Sequence, residues 1–285
     1  MEHLEGRQSV LAALRARQRK FQVILISHGA HTEKFQDVID LAAQLGVPVK
    51  TVDRKELDAM AHGQTHGGMV ALAGAKPRMN VDQLLELIDT LKVPPLLLLL
   101  EGVEDARNLG FTLRSAEALG VHAVLIKKHL WDFDPVEVAR PASGAYERLP
   151  LVQIDTIDPL AQLQRRGLKL YGCIAGAKRK IYDVNMAGPT ILAVGGEKRG
   201  LSGAVRSLCN RFVTIPTAGE ATSMSLSHAS CIIMAEAMRQ RLPKFSRDPQ
   251  GSAPPAEPDD LTETTSPAPA DPDPDSLSPE DPSAA

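Results

Sequence analysis

Three stretches of the sequence place polar side chains or glycines where an apolar run gives way to a helical pattern, which is where sheets covered on both faces hold their ligands. In the first, Glu101 to Gly120, Asn108 and Arg114 fall near the start of one helix. Polar groups there can face a ligand, but Asn108 also reads as the helix N-cap and Arg114 as a solvated charge. The second stretch, Ala193 to Ser202, contains Gly195-Gly196-Glu197-Lys198-Arg199-Gly200-Leu201. Its glycines let backbone amides approach a ligand, although a tight strand-to-helix turn needs them too. It lacks Gly-x-Gly-x-x-Gly, and Leu201 stands where a P-loop needs lysine, which argues against a dinucleotide oxidoreductase and a P-loop nucleotidase. The third, Ile215 to His228, gathers hydroxyls at the start of an apolar helix, where Ser223 or Ser225 also reads as a plain N-cap.

The elements that must position these residues follow from periodicity. Residues 22–27, 47–52 and 69–74 read as strands around helices over 33–45, closed by Gly46, and 54–61, forming a small α/β domain. Residues 80–92 read as a connecting helix, with Leu84, Leu85, Ile88 and Leu91 at helical spacing, ahead of Pro94-Pro95. Strands over 96–101, 121–127, 168–174, 190–195 and 212–215 then alternate with helices over 108–119, 134–140, 157–166, 201–209 and 225–241. Solid apolar strands in that alternation predict a parallel sheet covered on both faces. The expected boundaries are a first domain at 1–76, a linker helix at 77–94, a second domain at 95–244 and a tail at 245–285.

The formal charge of −3 hides an asymmetry. Residues 248–285 hold ten acidic side chains and no Lys or Arg, leaving 32 basic against 25 acidic side chains, a charge of +7, on residues 1–247. A basic body favours a polyanionic partner. The proline-rich acidic segment cannot bury enough apolar surface to offset its ordering entropy, which predicts a disordered tail. Cys173, Cys209 and Cys231 are odd in number and far apart, as suits reduced packing thiols. The longest apolar run, Val93 to Leu100, is too short to span a membrane. The opening Met1-Glu2-His3-Leu4-Glu5 lacks the order of a secretory signal, so a cytoplasmic location is expected. His62-x-x-x-His66 has the spacing of two metal ligands on a helix, but Gly63, Gly67 and Gly68 make that helix doubtful and no third ligand is near.

Taken together, Asn108-Leu-Gly…Leu-Arg114-Ser-Ala, Gly195-Gly196-Glu197…Gly200-Leu201 and Ile215-Pro216…Ser223-Met224-Ser225-Leu226-Ser227 resemble, in order and spacing, the three motifs of the SpoU/TrmH branch of the SPOUT methyltransferases. Arg140-Pro-Ala-Ser143-Gly144-Ala145…Leu149-Pro150 resembles the Ser-x-Gly-Ala stretch of that family. Glu5-Gly6-Arg7 and His66 to Ala71 resemble the two ends of its small, ribosomal-protein-like substrate-binding domain, so the likeness covers about residues 4–242. It departs at Ser225, where the family usually has Asn, and at Gly67, where it usually has Gln.

The resemblance implies an α/β fold: a small N-terminal α/β RNA-binding domain, then an open α/β domain with a C-terminal deep trefoil knot. It also implies S-adenosylmethionine as cofactor, RNA as partner, a homodimer, and transfer of methyl to a ribose 2′-hydroxyl without metal or membrane, most similar to the enzymes acting on guanosine in 23S rRNA. By the same carry-over Gly195, Ile215 and Met224 contact the cofactor, mostly through backbone groups, with Gly196 giving room beside them. Asn108, Arg114, Glu197 and Ser225 carry the reaction: Arg114 stabilises the alkoxide electrostatically as it forms, Glu197 orients the guanidinium, and Asn108 holds the ribose or nearby backbone. Two alternatives stay open here, a tRNA ribose methyltransferase of the same family and a non-catalytic RNA-binding or assembly protein.

Overall fold

A computed structural model describes residues 1–29, 32–62, 66–127, 133–196, 198–220 and 224–242. Glu197, Ser223 and the expected tail lie outside them.

The first sheet is built by β1 (Glu2–Glu5), β2 (Phe21–Ser27), β3 (Val49–Val52) and β4 (Met69–Ala73) in the order β1-β4-β2-β3. Only β2 and β3 pair in parallel. Helices α1 (Arg7–Ala16), α2 (Gln36–Gln44) and α3 (Arg54–Met60) connect them. Val10, Leu11, Ala13 and Leu14 bury one face of α1 against Leu4, Ile24, Val38 and Met69. β1 and α1 precede the first element expected from the sequence, the strand at 22–27. A four-residue strand with glutamate at both ends carries no alternating signal of its own; its pairing with β4 makes it a strand.

Helix α4 (Val81–Thr90) starts at a capping box: Asn80 Oδ1 accepts from the Gln83 N–H, and Gln83 Oε1 accepts from the Asn80 N–H, both at 2.9 Å. Its Leu84, Leu85 and Ile88 pack into the core of the second sheet.

That second sheet orders its strands β10-β8-β9-β5-β6-β7, with every pairing parallel as expected. They are β5 (Leu96–Glu101), β6 (Ala123–Lys127), β7 (Leu151–Ile154), β8 (Lys169–Cys173), β9 (Thr190–Gly195) and β10 (Arg211–Val213). β7 was not expected; four residues behind Pro150 are too few for periodicity to register. Between the strands run α5 (Ala106–Ala118), α6 (Pro135–Ala142), α7 (Ala145–Arg148), α8 (Asp158–Arg165) and α9 (Gly203–Leu208), and α10 (Leu226–Arg241) closes the described chain.

The five leucines of β5 are all buried and divide between the faces. Leu96, Leu98 and Leu100 join the core under α5, α6 and α10, while Leu97 and Leu99 join the core under α4, α8 and α9. Each contributes about 1.5–3 kcal/mol by leaving water. α5 and α6 approach closely because position 110 is glycine: a Cβ there would meet Val138 O and the Pro141 ring at 2.4 Å.

The two sheets belong to one compact unit, Met1–Leu242, joined through buried polar groups. Arg19 donates to both oxygens of Glu147 at 2.8 and 2.9 Å and to Gly74 O at 2.9 Å, with Arg19 and Glu147 almost fully buried. Such a pair adds little net stability over an apolar replacement, but removing one partner costs about 3–5 kcal/mol. Lys76 Nζ donates to Glu147 O and Leu149 O, both at 3.2 Å, and burial lowers its pKa to about 8. Glu5 accepts from Arg140 at 2.7 Å. The Ser143-Gly144-Ala145 stretch forms the turn between α6 and α7, where a Cβ on Gly144 would lie 2.9 Å from Ala12 Cβ.

Candidate active site

Chain order reverses beside β5. The chain leaves it outward through β6 and β7, then returns on its other side, where β9 pairs with it and Glu101 sits opposite Gly195. Such a switch point opens a crevice at the carboxyl ends of the strands. Beside it, at the ends of β8, β9 and β10, lies a cavity of about 270 Å³ whose walls include Val194, Gly195, Leu201, Ile215, Met224 and Leu226.

The loop after β9 is shaped by its glycines. The Gly196 N–H donates to Glu101 O at 2.6 Å and the Gly200 N–H to Gly196 O at 2.8 Å, folding the loop back on itself. A Cβ on Gly196 would stand 1.7 Å from Gly102 O, and one on Gly195 would stand 2.2 Å from Gly200 C. Backbone therefore fills the space that side chains would need. The carboxylate of Glu101, buried at the end of β5, accepts from the Ser202 N–H at 2.8 Å, and Ser202 Oγ in turn caps α9. Burial also pushes up the Cys173 and Cys209 thiols, the latter to about 11, so both stay protonated.

A smaller cavity of about 70 Å³ lies beside the first, lined by Gly102, Asp105, Asn108, Gly196, Lys198 and Leu226. The capping reading of Asn108 fails, because Asp105 caps α5, accepting from the N–H groups of Arg107 and Asn108 at 2.7 and 2.9 Å. Asn108 Oδ1 instead accepts from Ser227 Oγ at 3.0 Å. The capping reading of Ser225 holds: it caps α10, and its Oγ also contacts Ser227 Oγ at 3.2 Å and His228 Nδ1 at 2.5 Å.

Gly195, Ile215 and Met224 thus meet in one cavity, Asn108 and Gly196 in its neighbour, and Ser225 is one hydroxyl away from Asn108. Arg114 lines neither cavity; it is exposed on α5, on a stripe with Arg107 and Phe111. Ser227 and Glu101 escaped the sequence reading. The first was visible as part of the hydroxyl cluster, the second as the charge ending a run of five leucines. His62 and His66 do not share a helix: His62 contacts Glu5 and Asp134, and buried His66 contacts Asp58 at 2.7 Å. Among the described residues no three His, Cys, Asp or Glu side chains group as a metal site, and no helix is long and apolar enough to cross a membrane.

Residues 95–235 match the SpoU rRNA Methylase family, and residues 3–79 match the family of RNA 2′-O ribose methyltransferase substrate binding. A 23S rRNA (guanosine-2′-O-)-methyltransferase of Pseudomonas aeruginosa is 35% identical over 243 residues, 85% of this chain and 98% of the relative. The chain belongs to the SpoU family. A second SpoU relative of the same description, from Ralstonia nicotianae, is 36% identical over 84% of this chain and 95% of its own. The SpoU methyltransferase AviRb from Streptomyces viridochromogenes, solved in complex with AdoMet, superposes with a TM-score of 0.69 at 25% identity, covering 84% of this chain and 90% of that one. As a SpoU enzyme, the protein methylates a ribose 2′-hydroxyl of RNA with S-adenosylmethionine. Its larger cavity suits that cofactor, combining apolar walls with a glycine backbone that leaves no room for side chains.

Proposed function

We propose that the RNA is 23S rRNA, that the methylated nucleotide is a guanosine, and that the reaction takes place where the two cavities meet. The observation that carries the site is the shared wall. Gly195 and Gly196 are consecutive and Leu226 borders both spaces, so a cofactor in the larger cavity adjoins whatever Asn108 holds in the smaller. The choice of 23S rRNA rests on relatives of that description, aligned over nearly their whole length, and on a substrate-binding segment ahead of the larger sheet.

In this reading residues 1–76 capture the RNA, 77–94 link, and 95–244 carry the reaction in the cytoplasm. The chain after β10 threads a loop to make a trefoil knot, a reading supported by the ends of β8, β9 and β10 and the start of α10 lining one cavity. Gly195, Ile215 and Met224 hold S-adenosylmethionine, which supplies a methyl group already activated on its sulfonium. Orientation and removal of one proton are then left to the protein. Asn108 holds the ribose. Arg114 stabilises the negative charge growing on the 2′-oxygen as its proton passes late to solvent, with Glu197 orienting the guanidinium. Because Arg114 lies on an exposed stripe away from Asn108, it completes the site of a second copy, so the working unit is a homodimer.

Mapping 2′-O-methyl groups on total RNA from cells with and without the gene tests the substrate. One guanosine of 23S rRNA should lose its methyl group; loss confined to a tRNA would replace this reading with a tRNA ribose methyltransferase.

A further inference from the structure

Three contacts run in series between the start of α10 and the smaller cavity. His228 Nδ1 meets Ser225 Oγ at 2.5 Å, Ser225 Oγ meets Ser227 Oγ at 3.2 Å, and Ser227 Oγ meets Asn108 Oδ1 at 3.0 Å. Proton counting gives the series a direction. A serine hydroxyl has one proton to donate, and a carbonyl oxygen only accepts. Ser227 must give its proton to Asn108 Oδ1, so toward Ser225 it can only accept. With the 3.2 Å contact a hydrogen bond, Ser225 gives its proton to Ser227, and its oxygen accepts from the backbone N–H and the imidazole of His228. The imidazole therefore carries its proton on Nδ1.

We infer that His228 is a positioning residue for methyl transfer: through Ser225 and Ser227 it fixes the amide of Asn108 with its oxygen engaged and its two N–H donors offered to the cavity. This rests on the reading of that cavity as the ribose site. Donors suit the chemistry there, because a ribose oxygen losing its proton becomes a stronger acceptor as the reaction proceeds. An amide held in advance gains in the transition state without having to turn. Ser225 does not itself contact Asn108 and acts only through Ser227; the His228 backbone N–H reaches Ser225 Oγ only at 3.5 Å, so without the side-chain donor at position 228 the hydroxyl proton is free to turn away from Ser227, and the direction of the series is no longer set.

Two measurements test this. Nitrogen NMR of histidine-labelled protein at about pH 8, where free imidazole is neutral, should find His228 protonated on Nδ1, with the resonance assigned by its loss in His228→Asn. A neutral ring protonated on Nε2 overturns the inference, whatever RNA the enzyme modifies. Steady-state methylation should then separate His228→Leu, which has no donor, from His228→Asn, whose amide can donate from nearly the same place. The leucine variant should lose about five- to tenfold in kcat, the scale of one hydrogen bond, with cofactor affinity held within about twofold, and the asparagine variant should recover most of that loss. Unchanged kcat in His228→Leu, no recovery in His228→Asn, or a matching loss of cofactor affinity would each overturn it. A wild-type protein that methylates no ribosomal RNA, yet has Nδ1 protonated, would remove the proposed substrate and keep the directed series.

Discussion

Arg114 stands exposed on α5, one turn from Phe111, which is itself 49% exposed. A guanidinium in water keeps its proton, so this side chain acts through its charge and needs RNA or a second protomer to act upon. Arg114→Ala should lower the rate of methyl transfer by about a hundredfold or more, as losing a charge-assisted donor to a developing oxyanion does, while cofactor affinity stays within about twofold. Methyl incorporation and titration calorimetry check the two halves, and an active alanine variant would remove Arg114 from the reaction. Gly196 makes a different demand. Its missing side chain is replaced by the Gly102 carbonyl, and backbone cannot yield the space. Gly196→Ala should abolish cofactor binding and cost about 1–3 kcal/mol of stability, read by calorimetry and denaturant unfolding. Full affinity in this variant would mean that the loop can rearrange.

Among the elements, the join between β1 and α6 is sensitive to pH. His62, just past α3, sets Nδ1 3.0 Å from Glu5 and Nε2 2.8 Å from Asp134. The hydrogen bond to Glu5, with the charges of Asp134 and Glu5, raises the imidazole pKa against the opposing effects of burial and Arg140. Burial pushes the Glu5 carboxyl up, but hydrogen bonds from His62 and Arg140 outweigh it and hold the group below its usual value. A pKa raised by folding means that the stabilisation is fully present below the ordinary histidine value, about 6.5, and is lost as pH climbs through the folded value. The ring is 49% exposed, so screening keeps the effect below about 1 kcal/mol. Relative to His62→Gln, the wild type should lose this increment as pH rises from about 6 to about 8. Denaturant curves in that range decide it, and parallel profiles for the two proteins would refute the assignment. Lys76 works in the opposite sense and in a higher window. Its burial-lowered pKa makes stability rise with pH from about 8 toward its ordinary value, which keeps the two effects apart.

At the scale of the whole molecule, the exposed stripe of Arg107, Phe111 and Arg114 and the charge asymmetry along the chain each make a prediction. Light scattering should find a homodimer; a stable monomer that still methylates RNA would contradict a site completed by a second copy. Residues 248–285 carry ten carboxylates and no basic residue beside a body of +7. Either they are an inert solubilising extension or they compete with RNA phosphates for the basic body. Competition requires that deleting 248–285 tighten binding to random RNA at low salt, with the gain shrinking as salt screens both interactions. Equal affinities across a salt series would identify the inert extension.

The strands of the second sheet were legible because their interior is buried on both faces: Leu96 to Leu100 and residues 190–194 need no partner to identify them. Motif spacing likewise identified the three segments that meet at the crevice, since each sits at the end of an element the sequence specifies locally. Other features depended on tertiary structure. β1 and β7 are strands only because neighbours pair with them. Asn108 is released from capping only because Asp105 takes that place three residues earlier. The Arg19–Glu147 pair joins residues 128 positions apart, a distance no local pattern spans. The direction of the series from His228 to Asn108 depends on two helices crossing, because the chain encodes the donors and acceptors while only their packing determines which proton each can give.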